Sequence, residues 1–486
     1  MKMNKNIIIA ILTIGLVLSS KSIAQKNFTM YHLGSTPQSN YLNPGFKQEN
    51  RVYVSLPLGM QNISFMNSGF KLNDALETRS QDDSLVFNPQ KAIASMKDLN
   101  YLNFEMSNEI FGLGIKVKEN FFSVNITNRF QTRLTYPQDL FELALEGNGN
   151  DLLGQRASID GLGLNFSSYI EYGLGYNRTI NEKLTVGGRL KLLSGVANLN
   201  TAKSKLGLTT DATTFALTID GSSEINTSNI SPFSDSTVSY NPFPSLFNFG
   251  NFGMGLDLGA SYDYNGKWNF NASILDLGWI KWKSNVSNYI SNDVNYTFEG
   301  VNLNQALDSV DIGGELSDTI QTIFNQTETN DAYSTALRTK FYLGSKYKIN
   351  DYFSASALMY NEIIGQNYNV GFSVAGNINV KKWLGFSLNY STYGRSFNNF
   401  GLGLNLKGGP IQAYFMTDNI AAFINPQSAR HVHVSFGLNV LVGPKKDKDR
   451  KGKATDKVKL EPSKDGDKTD PSVESTPPVQ TNQENN

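Results

Sequence analysis

Every second residue is apolar along many stretches of this chain, and this alternation limits the folds that it can adopt. In residues 254–264, apolar residues alternate with small or acidic ones. The apolar residues are Met254, Leu256, Leu258, Ala260, Tyr262 and Tyr264, and the others are Gly255, Asp257, Gly259, Ser261 and Asp263. Because successive side chains of a strand point to opposite faces, one face of such a strand is apolar and the other polar. The pattern recurs around residues 122–126, 170–176, 370–374, 384–390, 400–406 and 431–442. The sequence therefore predicts an all-β protein.

The first 24 residues have the organisation of a secretory signal peptide. Lys2 and Lys5 precede an apolar run over residues 7–18, and small residues lead up to an expected cleavage between Ala24 and Gln25. This run is shorter than the ~20 residues that a membrane-spanning helix needs, and no later apolar stretch approaches that length. A membrane location of the mature chain would therefore require strands, and these must close into a barrel.

Alternation also occurs in secreted β-sandwiches, so two architectures have to be compared. Aromatic residues such as Tyr262, Trp268 and Tyr347 stand near predicted strand ends, where membrane barrels carry aromatic girdles. Six short polar turns are predicted, at residues 118–120, 181–183, 265–267, 349–351, 381–382 and 408–409. The other connections include long ones, at roughly 60–104, 133–161, 200–250 and 285–330. Short connections on one side and long ones on the other are typical of membrane barrels.

The turns also predict the number of strands. Six turns join twelve strands, and a first strand at about 51–58 and a last one at about 430–442 make about 14 in an even-numbered barrel. The prediction is thus a transmembrane antiparallel β-barrel over residues 51–443, with long extracellular loops. Two helices are expected in these loops, one opened by Asn88 and Pro89 and one carrying Leu316, Ile320, Ile323 and Phe324.

The two ends of the mature chain differ from the barrel in composition. Residues 25–50 are rich in Gly, Pro and Asn, but Tyr41, Leu42 and Phe46 need burial, which predicts a plug-like segment inside the barrel rather than a loose leader. Residues 444–486 contain Lys, Asp, Pro, Ser and Thr with almost no apolar side chains, which predicts a disordered periplasmic tail. Such a tail is either a tether to a partner or simply solvated.

Composition excludes several functional classes. The chain has no cysteine, which excludes disulfides, thiolate metal sites and a lipoprotein anchor, and its net charge of zero gives no reason to expect nucleic acid as a partner. His431 and His433 share the predicted lumen face, at a spacing that allows two metal ligands or one general base. A third ligand or a nucleophilic serine would have to come from another strand. We therefore predict neither a cofactor nor an enzyme.

Charged residues also fall on the predicted lumen face. They are Glu171, Arg189, Lys191, Asp257, Asp263, Arg338 and Lys340. Opposite charges that are buried together usually pair, whereas an unpaired basic cluster would favour an anionic head group such as a fatty-acid carboxylate. We predict pairing.

Several short stretches carry a resemblance that extends along the mature chain to about Val442. They are Tyr31-His32-Leu33-Gly34, Asn43-Pro44-Gly45-Phe46, Tyr136-Pro137-Gln138-Asp139-Leu140, Gly187-Gly188-Arg189-Leu190-Lys191, Thr417-Asp418-Asn419 and Phe436-Gly437-Leu438-Asn439. In these the chain resembles a family of Bacteroidota outer-membrane proteins of unassigned function, related in architecture to FadL-like transporters and to the PorV component of the type IX secretion system. Asn43 and Pro44 resemble the plug motif of FadL-like proteins, with Gly45 where many of those have alanine. The resemblance implies a barrel of about 14 strands in the cell outer membrane, and it implies no substrate.

Three functional hypotheses follow. The first is FadL-like passage of an apolar small molecule across the outer membrane, either to the inner side or sideways into outer-membrane lipid. The second is a PorV-like docking protein whose partner is a secretion-system or surface protein. The third is a lipid hydrolase inside the barrel, which only His431 and His433 suggest.

Overall fold

The computed structural model describes residues 27–230 apart from 56 and 150, residues 247–299 apart from 292, and residues 326–443 apart from 365–366, 381–382 and 394–395. The expected signal peptide with its cleavage site at Ala24 and Gln25, the helix predicted around Leu316, and the tail at 444–486 lie outside these residues.

The described residues form strands and a few short helices. The strands are β1 (Val52–Ser55), β2 (Gln61–Asn67), β3 (Leu76–Thr78), β4 (Leu85–Phe87), β5 (Leu99–Val117), β6 (Asn120–Pro137), β7 (Arg156–Ser158), β8 (Gly163–Thr179), β9 (Leu184–Thr210), β10 (Leu217–Ser228), β11 (Phe252–Asp263), β12 (Trp268–Trp282), β13 (Val286–Ser291), β14 (Val294–Phe298), β15 (Gln326–Thr329), β16 (Tyr333–Ala336), β17 (Lys340–Lys348), β18 (Phe353–Ile364), β19 (Asn367–Val380), β20 (Leu384–Tyr393), β21 (Ser396–Gly408), β22 (Ile411–Thr417) and β23 (His431–Val442). The helices are α1 (Phe28–Leu33), α2 (Leu72–Ala75), α3 (Pro89–Ser95), α4 (Gln138–Leu145) and α5 (Ala421–Ile424), with 3₁₀ helices at Pro37–Tyr41 and Pro426–Ser428.

Within the described residues, an antiparallel sheet of 14 strands closes into a barrel. Going round the wall, the strands are β1 with β2, then β5, β6, β8, β9, β11, β12, β16 with β17, and β18 to β23 in order. The last strand, β23, pairs with β1 and β2, and this pairing completes the circle. The prediction of an all-β antiparallel barrel of about 14 strands is therefore confirmed.

The two faces of the wall differ as the alternation predicts. Large apolar side chains point outward, and Leu174, Val374 and Leu438 are each about half exposed. Polar side chains such as Asn125 and Ser373 point inward and are almost fully buried. A continuous exposed apolar surface of this extent is suited to lipid, since soluble proteins seldom expose one. Among the described residues, no helix is long and apolar enough to cross a membrane.

The short turns lie where the sequence predicts them, and we call their side of the barrel the turn end. They join β5 to β6, β8 to β9, β11 to β12, β17 to β18 and β21 to β22. The sixth, at residues 381–382, falls outside the described residues, but the strands on either side of it pair as far as Val380 and Leu384. The opposite side is called the loop end.

The first strand differs from its predicted extent of about 51–58. It stops at Ser55 and resumes as β2 at Gln61. Pro57 has no backbone N–H to give to a neighbouring strand, which accounts for the break. The neighbouring β5 has a β-bulge between Glu109 and Phe111 at the same level. There the backbone N–H of Glu109 donates a hydrogen bond to the Met60 carbonyl.

All four connections predicted as long loops contain strands: β2, β3 and β4 lie within 60–104, and β7 lies within 133–161. The other two contain more of the sheet. The upper half of β9 leaves its barrel neighbour β11 and pairs with β10, which in turn pairs with β13 and β14. These strands extend the sheet at the loop end, so the loops predicted at 200–250 and 285–330 are wrong in part. These strands are rich in Thr, Ser and Asn, and their apolar alternation, as at Leu217 and Ile219 or at Val294, Tyr296 and Phe298, is shorter than that of the barrel strands. In another connection, α3 begins where Asn88 and Pro89 predict it, with the Asn88 side chain accepting a hydrogen bond from Lys91 N at 2.9 Å.

Candidate functional site in the barrel lumen

Residues 27–50, which we call the N-terminal segment, are enclosed by the wall. Most of them are buried, and their side chains and backbone contact lumen-facing residues on several strands of the barrel. Near the turn end, Asn405 donates to Ser35 Oγ at 2.7 Å, and Gln412 donates to the Ser35 carbonyl at 3.0 Å. On the opposite side, Ser273 Oγ donates to the Leu42 carbonyl at 2.6 Å. The segment therefore fills the lumen across its width.

Asp418 holds the start of α1. Its carboxylate accepts hydrogen bonds from the backbone N–H groups of Phe28 at 3.0 Å and Thr29 at 2.8 Å. Its own N–H donates to His433 Nδ1 at 3.2 Å, which leaves Nε2 of that ring to donate to Asn27 and Asn62, both at 2.8 Å. A buried carboxylate that receives charge-assisted bonds in this way is a strong anchor.

The two histidines considered for metal or acid–base chemistry are both buried on the lumen side. His433 belongs to the Asp418 anchor, so both of its ring nitrogens are engaged with protein groups. The imidazole of His431 has an Nε2 atom without a hydrogen-bond partner among the described residues. Among all the residues that the structure describes, no group of three or more His, Cys, Asp or Glu side chains is arranged to hold a metal ion.

The Asp418 anchor gives a direct prediction. Replacing Asp418 with asparagine removes the charge from two backbone hydrogen bonds, and hydrogen bonds to charged groups contribute about 1.5–3 kcal/mol each. We expect amide hydrogen exchange at Phe28 and Thr29 to accelerate about tenfold or more. The control is Asp351→Asn in an exposed turn, where the carboxylate pairs with Lys348. Equal protection of the α1 amides from hydrogen exchange in the wild type, Asp418→Asn and Asp351→Asn would contradict the role of Asp418 as an anchor.

The middle of the segment bonds to several strands. Tyr31 stacks on Tyr342 with ring centroids 5.0 Å apart, and its hydroxyl donates to Asn271 at 2.7 Å. His32 lies between the hydroxyls of Ser356 and Ser373, at 2.8 and 2.9 Å. Burial, with a smaller effect from the positive charge of Lys346, lowers the pKa of His32 to about 3. The ring is therefore neutral at neutral pH, with one nitrogen donating to a serine hydroxyl and the other accepting from one.

Asn43, Pro44 and Gly45 press against the wall at β9 and β11. The Asn43 side chain accepts a hydrogen bond from Gly45 N at 2.8 Å, which fixes the turn of the segment. A β-carbon at Gly45 would lie 2.5 Å from the Cα of Ala260, and β-carbons at the wall residues Gly187 and Gly259 would collide with Pro44 and Asn43. Glycine is needed on both sides because backbone approaches backbone here.

Five of the predicted lumen charges meet in one buried network. Arg189 pairs with Glu171 at 2.9 Å and with Asp257 at 3.0 Å, and Lys191 pairs with Asp257 at 2.7 Å. Lys340 joins through Asp276 at 2.5 Å. The guanidinium of Arg189 also lies 4.4 Å from the centre of the Tyr41 ring, a distance typical of a cation–π contact. The network thus connects the wall to the N-terminal segment.

The other two predicted charges lie elsewhere. Arg338 pairs with Glu105 at 2.8 Å. Its β16–β17 strand is far round the barrel from β5, so this ion pair bridges the lumen. Asp263 is exposed at the turn end, where it accepts a hydrogen bond from Asn269 at 2.7 Å. It is not part of the network.

Sequence reasoning missed several residues of the site, of which Asp276 is the clearest. It stands in an apolar run of β12, at a β-bulge between β11 and β12, and its φ is 59°. Its backbone N–H donates a hydrogen bond to the Asp257 carboxylate at 2.8 Å. The bulge turns its carboxylate inward to Lys191 and Lys340, each at 2.5 Å. An acidic residue between Ile274 and Leu277 is the signal that could have revealed it.

The wall is incomplete at one place, which we call the wall gap. The short strand β22 ends at Thr417, so residues 396–401 of β21 and residues 431–434 of β23 have no strand between them. Residues 418–430 cover the space instead, and a cavity of about 500 Å³ lies there, lined by side chains that include Phe397, Asn419, Ala421, Ala429 and Arg430. Asp418 and the start of α1 lie directly beside it.

Behind the wall gap the lumen is lined by aromatic and thioether side chains. We call these the lumen aromatic cluster, and they include Phe28, Met66, Tyr101, Tyr342, Tyr360, Tyr393 and Met416. The ring of Phe28 meets Tyr360 edge-on at 5.7 Å and Tyr393 at 6.2 Å. The segment thus places an apolar side chain at the centre of this cluster.

The closed wall, its outward apolar face and the segment inside it define a β-barrel of the outer-membrane type. The chain belongs to a family described as a family of unknown function (DUF5723), whose model matches residues 44–418. Comparison with curated proteins finds no sequence match.

Solved structures with a similar fold include channels, transporters and the translocator domain of an autotransporter. A deletion mutant of the monoaromatic hydrocarbon channel TodX is 8% identical, with 88% of this chain and 96% of that one covered and a TM-score of 0.41. The toluene transporter TbuX of Ralstonia pickettii is 9% identical, covering 83% and 93%, with a TM-score of 0.39. A FadL homologue of Pseudomonas aeruginosa is 10% identical, covering 87% and 100%, with a TM-score of 0.38. At such identities, what those proteins carry says nothing about what this chain carries.

Proposed function

We propose that this protein resides in the outer membrane and passes small apolar molecules between its lumen and the surrounding lipid. The observation that carries the proposal is that the lumen aromatic cluster reaches the wall gap: its member Tyr393 pairs with Ser396, which lines the gap, and its member Phe28 bonds to Asp418 beside the gap. An apolar molecule leaving the cluster would meet side chains of residues 418–430 rather than a continuous hydrogen-bonded ladder. The third hypothesis, a hydrolase, has no support in the contacts of His431 and His433.

The N-terminal segment supplies a means of control. Asp418 holds α1 and also adjoins Asn419, which lines the wall gap. A movement of α1 that breaks these hydrogen bonds would withdraw Phe28 from the lumen aromatic cluster and loosen residues 418–430 together. The segment can move because its contacts with the wall are non-covalent, since the chain has no cysteine. The arrangement favours a plug that opens toward lipid.

Filling the wall gap tests the proposal. The double variant Ala421→Trp, Ala429→Trp places two large side chains in a cavity of about 500 Å³. Blocking the passage should lower uptake of radiolabelled long-chain alkanes about tenfold or more in cells that lack a transporter of their own, since a barrier higher by 1.36 kcal/mol slows passage tenfold. The control is Ala355→Trp, because Ala355 is exposed on the outward face of β18, away from the wall gap.

Uptake that is equal for the wild type, the double variant and the control would contradict the proposal.

The second hypothesis, a PorV-like docking protein, is favoured by one observation, the sheet extension of β9, β10, β13 and β14 at the loop end. A barrel that gives no uptake at all, but is extracted from its membrane together with a stoichiometric protein partner, would favour that hypothesis instead.

A further inference from the structure

Arg133 is a buried cation without a carboxylate. It is 7% exposed, and its Nη1 atom has no hydrogen-bond partner among the described residues. The other buried cations of the described chain, Arg189, Lys191 and Arg430, each have a carboxylate oxygen within 3.0 Å. An uncompensated buried charge is strongly unfavourable, so a partner that the protein itself does not supply is expected at Arg133.

A second polar group next to Arg133 is also unsatisfied. Asn103 lies directly opposite Arg133 on the neighbouring strand and is 2% exposed. Neither its Nδ2 nor its Oδ1 atom has a hydrogen-bond partner in the described part of the chain. Buried amides are nearly always bonded, and one with both atoms unused beside an unpaired guanidinium points to a shared ligand.

The nearest carboxylates on this level of the lumen already have partners. Glu105 pairs with Arg338 at 2.8 Å, and Glu362 accepts a hydrogen bond from Tyr393 at 3.5 Å. Neither forms an ion pair with Arg133 in the described structure. An anion from outside the chain would supply what is missing, and a guanidinium is well suited to carboxylate or phosphate because its planar N–H groups match both oxygens.

The surroundings of Arg133 also indicate what the anion is attached to. Its guanidinium lies 4.6 Å from the centre of the Tyr101 ring, and Tyr101 belongs to the lumen aromatic cluster. Met66, another member, lies directly opposite Asn103 on β2. A ligand bound to Arg133 would thus have aromatic and thioether side chains beside its remaining atoms.

We infer that Arg133 and Asn103 bind the carboxylate or phosphate head group of an amphipathic small molecule whose apolar part lies against the lumen aromatic cluster. The guanidinium of Arg133 pairs with two oxygens of the anion, and the Asn103 amide donates a further hydrogen bond. The inference rests on the proposed function, since it names the class of molecule that would occupy the same lumen.

Binding to the purified full-length barrel in nanodiscs tests the inference without transport. The probes are dodecanoate, dodecyl phosphate and the uncharged dodecanol, which share one apolar chain. The wild type should bind an anion about tenfold or more tightly than the alcohol, because hydrogen bonds between charged groups contribute more than neutral ones. The anion that binds more tightly identifies the head group.

The variant Arg133→Gln should remove this preference, so that dodecanoate, dodecyl phosphate and dodecanol bind with similar affinities. The matched control is Arg129→Gln on the same strand, where the cation is already neutralised by Glu171 at 3.1 Å. It should keep the preference. The variant Asn103→Ala should weaken anion binding by a smaller factor and provides a second reading if Arg133→Gln does not fold.

Equal affinities of the wild type for the anions and the alcohol would overturn the inference, as would a preference that survives Arg133→Gln. The outcome is independent of uptake. Normal uptake without a preference for anions would refute this site alone, and a preference for anions without uptake would refute the proposed function alone.

Discussion

Replacing Gly45 with valine is expected to free the N-terminal segment from the wall and make the lumen permeable to small solutes. Even the β-carbon of the new side chain would lie 2.5 Å from the Cα of Ala260, and no flexible side chain is there to give way. The backbone of one partner must shift, and Ala260 is fixed in the sheet between β9 and β12 whereas Gly45 is not part of the sheet. Conductance of single barrels in planar bilayers measures the effect, which should be a change from closed to open.

The matched control for this change is Gly376→Val. Gly376 lies on the outward face of β19, and a β-carbon there would meet no atom within 4 Å. This variant should therefore conduct like the wild type. If Gly45→Val also keeps the barrel closed while it folds normally, the glycine contact does not hold the segment in place.

Replacing Arg189 with methionine is expected to destabilise the barrel by about 3–5 kcal/mol, because it removes one of the cations that neutralise two buried carboxylates. Arg189 is 2% exposed and contacts Glu171 and Asp257 at 2.9 and 3.0 Å. Methionine keeps much of the side-chain volume, so the loss is mainly electrostatic. Equilibrium unfolding in urea, from lipid vesicles, measures the free energy of unfolding.

Arg156→Met is the control for that measurement. Arg156 also pairs with two carboxylates, those of Asp160 and Asp220, but its side chain is 36% exposed at the loop end. Exposed ion pairs contribute about 1 kcal/mol or less. Similar losses in the free energy of unfolding for Arg189→Met and Arg156→Met would mean that burial does not strengthen the ion pairs of the lumen network.

The wall could be predicted because its physical signal is local. In β23, the apolar residues Val432, Val434 and Phe436 alternate with polar or small ones, and a two-residue period is enough to define a strand and its outward face. Polar turns such as Asn265-Gly266-Lys267 mark where strands reverse. Counting such turns predicted the number of strands.

The site could be predicted only in part because its contacts join distant parts of the chain. Alternation placed Arg189 and Lys191 on the lumen face, but it could not show that Asp276 would turn inward through a bulge. The position of Asp418 likewise depends on where β22 stops, and the seven-residue length of that strand has no local signal. The Arg338–Glu105 pair brings together residues 233 positions apart, which no spacing rule predicts.

The contacts between the N-terminal segment and the last strands also constrain the order in which the protein folds. Asn27 bonds to His433, and Phe28 and Thr29 bond to Asp418, across about 390–406 residues. The earliest described part of the chain thus acquires its bonding partners only after the last strands have been made. Contacts of such long sequence separation form slowly because the loop between them must close first. The N-terminal segment must then be inside the curling sheet before β23 joins β1 and β2, so closure of that seam would seal the segment in.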